Sequence, residues 1–92
     1  MTIKLLVVDD SAFMRKIISD TIKEVDGVEV VGIARNGSEA LEVIPKLQPD
    51  IITLDIEMPK LNGIETLKRI KEDFRIPVIM LSSNNKSYVT IE

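Results

Sequence analysis

Ninety-two residues, 45% hydrophobic and 29% charged with a net charge of −3, describe one small globular domain and exclude a disordered or fibrous chain. The absence of cysteine and histidine excludes disulfides, thiolate chemistry, imidazole metal ligands and histidine-dependent triads. No basic patch interleaved with aromatics points to nucleic acid, no apolar run is long enough to cross a bilayer, and Met1-Thr2-Ile3-Lys4 leads into a strand without a signal-peptide cleavage site, so a cytoplasmic domain that binds neither nucleic acid nor membrane is expected.

Leu5-Leu6-Val7-Val8 is a continuous apolar run, the pattern of a strand buried on both faces, and it ends in Asp9 and Asp10. Ser11 follows as a helix N-cap. Met14, Ile17, Ile18, Thr21, Ile22 and Val25 then share one face of an amphipathic helix, which Asp26-Gly27 stops. Val28 to Ala34 reads as the second strand. Asn36 with Glu39 three residues on is a capping-box pattern, and Ala40, Leu41, Ile44 and Leu47 give the second helix its apolar face. Pro45 inside that helix removes a backbone donor and clashes one turn back, so a kink or an early end is expected. After the loop Gln48-Pro49-Asp50, Ile51-Ile52-Thr53-Leu54 runs straight into Asp55, with the turn residues Pro59, Asn62 and Gly63 beyond. Asn62 and Glu65 repeat the cap pattern, and Ile64, Leu67, Ile70 and Phe74 lie roughly on one helical face. Arg75-Ile76-Pro77 turns the chain into a fourth apolar run, Val78 to Leu81, which ends in Ser82-Ser83. The alternation β-α-β-α-β-α-β predicts a parallel sheet with helices on both faces and right-handed crossovers.

The first of these runs ends in Asp9 and Asp10, the third in Asp55, and the fourth in the hydroxyl of Ser82. In open parallel α/β sheets ligands bind at the carboxyl ends of the strands, so Asp9, Asp10, Asp55 and Ser82 are expected to approach one crevice if their strands are neighbours. Taken singly, each aspartate also reads as a turn residue or a cap. Together, three carboxylates in a partly desolvated site repel one another and need either a raised pKa or a bound cation. Oxygen ligands without histidine or cysteine favour a hard cation, and Mg²⁺ fits best.

Leu6-Val7-Val8-Asp9-Asp10-Ser11, Asp55-Ile56-Glu57-Met58-Pro59 with Asn62-Gly63, and Val78-Ile79-Met80-Leu81-Ser82 resemble the receiver domain of bacterial and archaeal response regulators. Asp10-Ser11-Ala12-Phe13-Met14-Arg15 and Met80-Leu81-Ser82-Ser83 lean toward the receiver of the chemotaxis protein-glutamate methylesterase. The resemblance implies a flavodoxin-like, doubly wound α/β sheet of strand order 2-1-3-4. It implies that Asp55 is the phosphoacceptor. Mg²⁺ would be held by Asp9, Asp10, Asp55 and the backbone carbonyl of Glu57, and Ser82 would be the hydroxyl that contacts the phosphoryl group. It also implies a histidine kinase as phosphodonor in a two-component chemotaxis pathway, in which the domain catalyses only its own phosphorylation and dephosphorylation. The rival reading is a receiver-like interaction module that works without phosphorylation. A metal-dependent phosphohydrolase is weaker, because no separate general acid is visible.

Residues 1–92 are read as one receiver that stops short of the family's fifth strand, its phosphoryl-contacting lysine and its last helices. Neither Lys86 nor Tyr88 suits the family's lysine or aromatic switch position, and no methylesterase domain is present in these residues. An output domain elsewhere, or self-association, is expected. Without a fifth strand, Val78 to Leu81 becomes an unprotected edge. Three arrangements are open for the end: continuation into a longer chain, edge-to-edge pairing with a second copy, or an Asn84-Asn85 turn that folds Ser87 to Ile91 back as an antiparallel strand. Continuation is favoured, since Tyr88 to Glu92 also suits the start of a helix.

Overall fold

The computed structural model describes residues 1–56, 63–81 and the strand path of 89–91. In chain order its elements are β1 (Ile3–Val8), α1 (Ala12–Lys23), β2 (Val28–Ala34), α2 (Gly37–Leu47), β3 (Ile51–Asp55), α3 (Gly63–Asp73), β4 (Val78–Leu81) and β5 (Val89–Ile91). The strands form one sheet in the order β2-β1-β3-β4-β5. The first four are parallel in the expected order 2-1-3-4.

The sheet is double-sided because its central strands carry apolar residues on both faces, as Leu5 to Val8 of β1 do. Leu6, Val8, Ile52, Leu54, Val78 and Met80 face α2 and α3, and with Ala40, Ile44 and Ile70 they form the main core. Leu5 and Val7 alternate with Leu6 and Val8, so they point to the opposite face, where α1 packs on β1 and β2. Asp50 locks the start of β3 to β1: its carboxylate accepts from the Lys4 amide at 2.8 Å, and its own amide donates to the Lys4 carbonyl at 2.8 Å.

Local signals are realised with shifts. Ser11 caps α1, its hydroxyl accepting from the Met14 amide at 3.2 Å. Asn36 caps α2, its Oδ1 accepting from the Glu39 amide at 2.8 Å. Glu39 does not close the box on Asn36; its carboxylate accepts instead from the amide of Arg35, at 3.0 Å, and pairs with that residue's guanidinium at 3.1 Å. Helix α2 runs through Pro45 and stops at Leu47, because Gln48 adopts a left-handed conformation with φ 50. Helix α1 ends at Lys23, ahead of the expected stop, and Gly27 turns the chain with φ +84. Val25 is therefore outside the helix and exposed, Ile17 is exposed as well, and no residue of α1 is fully buried. On α3 the buried stripe is Gly63, Thr66 and Ile70, while Ile64 is exposed. Leu67 and Phe74 pack against the core from the side.

The expectation of an unprotected β4 edge does not hold. β5 pairs with β4 in antiparallel register, Ile79 with Ile91 and Leu81 with Val89. Val89 to Ile91 are thus a strand rather than the start of a helix; three β-branched residues suit a pleated ladder better than a helix. The antiparallel return of Val89 to Ile91 corresponds to one of the three arrangements left open for the end rather than to the favoured helix start. The Asn84-Asn85 turn and the Asn62 cap lie outside the described residues.

Candidate functional site

β1 and β3 are adjacent, and their register sets the site. Val8 pairs with Leu54, so the next residues, Asp9 and Asp55, leave neighbouring strands side by side at the carboxyl edge. Both are buried, Asp9 to 4% and Asp55 to 2% exposure, while Asp10 lies in solvent. Carboxylate oxygens of Asp9, Asp10 and Asp55 all lie within 4.8 Å of one another, the one such acidic group among the described residues. Leu81 pairs with Asp55, which brings the end of β4 level with the site. Ser82 and Glu57 lie outside the described residues.

Backbone and side-chain bonds hold Asp9 on every side. Its amide donates to the Ala34 carbonyl of β2 at 3.0 Å, and its Oδ1 accepts from the Ser11 amide at 2.9 Å. Its main-chain carbonyl accepts from Arg15 Nη1 at 2.8 Å. Burial pushes the Asp9 carboxyl above its ordinary range, and the charge of Asp10 adds to that; the Ser11 amide, Arg15 and a hydrogen bond with Asp55 pull it back down. A hydrogen bond between two carboxyls requires a proton between them. A divalent cation supplies the same neutralisation with oxygen ligands alone, so the residues present fit Mg²⁺.

On the far side of Asp55 the chain must return into α3 at close quarters. Gly63 donates its amide to the Ile56 carbonyl at 3.0 Å. A Cβ at Gly63 would stand 2.6 Å from the Asp55 carbonyl and 2.5 Å from Ile56 Cα, both backbone atoms that cannot yield. Sequence reasoning read this glycine as part of a turn and missed that contact. It also gave Arg15 no role, although a cation four residues past the cap Ser11 lies one turn into α1, within reach of the end of β1.

Residues 5–92 match the response regulator receiver domain family. The chain belongs to that family. This receiver is 63% identical over 82 residues to a protein-glutamate methylesterase/protein-glutamine glutaminase of Geobacillus kaustophilus, covering 89% of the chain and 24% of that protein. A namesake from Pyrococcus horikoshii is 52% identical over 81 residues, with 88% of the chain and 22% of that protein covered. The receiver thus spans about a quarter of the length of these relatives. Among solved structures it superposes on the response regulator domain of Thermotoga maritima CheB with a TM-score of 0.87 at 49% identity, covering 98% of this chain and 67% of that one. The isolated receiver of Salmonella enterica RcsB, solved with a phosphomimetic beryllium fluoride, gives a TM-score of 0.85 at 27% identity over 94% of this chain and 65% of that one. Among the described residues no helix is long and apolar enough to cross a membrane.

Proposed function

We propose that residues 1–92 act as a phosphoacceptor receiver of the chemotaxis type, taking a phosphoryl group from a histidine kinase onto Asp55. The observation that carries this reading is the convergence of three carboxylates, with Asp55 buried at the end of a central strand. One Asp55 oxygen attacks phosphorus, the bond to the donor imidazole nitrogen breaks, and an acyl phosphate results. The β3–β4 pairing and the Gly63 contact fix the Asp55 backbone, so the nucleophile is aimed before the donor arrives. Asp9 and Asp10, with Asp55 and the Glu57 carbonyl, would hold Mg²⁺. Bound there, Mg²⁺ offsets the charge that gathers on the phosphoryl oxygens. Ser82 is assigned the hydroxyl that contacts the phosphoryl group. The proposed setting is the cytoplasm, with an output domain such as the relatives' methylesterase outside these residues.

Intact-mass measurement after incubation with acetyl phosphate and Mg²⁺ tests the assignment. One phosphoryl adduct is expected on the wild type and none on Asp55→Asn. An adduct that persists in Asp55→Asn refutes it, and a wild type that takes no adduct and no beryllium fluoride favours the phosphorylation-independent module.

A further inference from the structure

We propose that Arg15 is a positioning residue for the acidic centre: its guanidinium braces the corner between β1 and α1 and so fixes the direction of Asp10 relative to Asp9 and Asp55. This rests on the reading of that centre as a cation site. Arg15 Nη1 donates to the Asp9 main-chain carbonyl at 2.8 Å, from the first turn of α1 back across the corner. That carbonyl belongs to the planar peptide joining Asp9 to Asp10, so holding it sets the plane from which the Asp10 side chain departs. The other groups of the corner are held independently: the Asp9 amide by Ala34 and the Asp9 carboxylate by the Ser11 amide. Asp10 has no comparable support. It is exposed, and among the described residues no hydrogen bond holds its carboxylate. The direction of this exposed ligand is therefore set through its backbone, and the side chain that sets it is Arg15.

The same residue could act in the opposite sense. A guanidinium beside Asp9 repels a second cation. Removing it takes away a brace, which weakens cation binding, and a repulsive charge, which strengthens it. The geometry assigns the larger effect to the brace, because a carboxylate that swings away from the site contributes nothing at any charge.

Backbone amide spectra of isotopically labelled protein, titrated with MgCl₂, separate the two. Arg15→Met should keep a dispersed spectrum and bind Mg²⁺ about tenfold more weakly, the low end for partners that orient metal ligands. Arg15→Lys, which restores a donor and a charge, should recover most of that loss. A residue that only stabilises the fold would lower the metal-free urea midpoint and leave the Mg²⁺ dissociation constant of the folded protein unchanged. Binding as tight as wild type or tighter in Arg15→Met overturns the inference. If that variant does not fold, Arg15→Gln, a good helix former too short to span the corner, answers by the same criterion. A wild type whose amides do not respond to Mg²⁺ defeats the functional reading itself, whereas a responding wild type with an unaffected variant defeats only the role of Arg15.

Discussion

Burial holds the Asp9 carboxyl above the ordinary carboxylate value of 3.8, and the neighbouring charge of Asp10 acts in the same direction. The native state therefore keeps this proton more tightly than the unfolded chain does. Its contribution to stability is complete below the ordinary value and is lost as pH rises through the raised one. Glu39 works the other way: the Arg35 amide and guanidinium hold its pKa below 4.5, so its contribution is present at neutral pH and fades as the solution becomes acid. In metal-free buffer at neutral pH, Asp9→Asn should raise the melting temperature by about 4–8 °C, the shift that ~1 kcal/mol produces in a domain this small. The same variant should lose the stabilisation expected of Mg²⁺ at the proposed site, about 2.7 kcal/mol at a hundredfold excess over the dissociation constant. Asp10→Asn should lose that increment too. Equal Mg²⁺ stabilisation of wild type and Asp10→Asn, read by thermal melts, would remove Asp10 from the ligand set. With Mg²⁺ at the proposed site, protons would compete with it for Asp9, so the Mg²⁺ dissociation constant should rise as pH falls through the raised Asp9 value.

Two element ends set testable expectations, one at the acidic centre and one remote from it. At the first, α3 begins on Gly63, packed directly on the Asp55 and Ile56 backbone. Gly63→Ala must push α3 away or twist the end of β3, and overpacking of this kind costs about 1–3 kcal/mol. A urea melt should show that loss, and acetyl phosphate should modify Asp55 more slowly in the folded fraction, because the nucleophile is displaced. Unchanged stability in Gly63→Ala would mean that the junction relaxes freely. At the remote end, α2 stops on Gln48 in a left-handed conformation that glycine adopts without strain. Gln48→Gly should therefore stabilise the domain by about 1 kcal/mol. It lies well away from the acidic centre in the chain and should leave phosphorylation unchanged, which makes it a useful partner for destabilised site variants.

Across the whole molecule the two faces of the sheet are unequally covered. α2 and α3 bury a continuous core, whereas α1 buries no residue completely and leaves Phe13 71% and Ile17 40% exposed, one turn apart. β4 is paired with β5, and a three-residue edge strand offers little template for another chain. Any association of the 92-residue polypeptide should therefore run through α1 rather than through the sheet edge. Light scattering coupled to size exclusion should show concentration-dependent dimers that Phe13→Ser with Ile17→Ser abolishes. A monodisperse wild-type monomer at high concentration would show that this exposed pair is tolerated.

The order of strands and helices was legible because it is written in local periodicity: apolar runs such as Leu5 to Val8, and a polar cap such as Ser11 before a helical stripe. The acidic centre was legible for the same reason, since Asp9 and Asp55 each stand at the end of an apolar run and the carboxyl edge of a parallel sheet collects such residues. Which strands are neighbours was not local information, and only the Val8–Leu54 pairing makes Asp9 and Asp55 adjacent. Tertiary structure alone chose, among the arrangements open for the end, the antiparallel return of Val89 to Ile91, and it alone decided the exposure of Ile17, the burial of Thr66 in place of Ile64, the crowding at Gly63 and the reach of Arg15 to the Asp9 carbonyl. Each of these depends on what a distant segment places against the residue. A single sequence specifies the residue's own preference, and the neighbour that overrides or uses it appears only once the chain has folded.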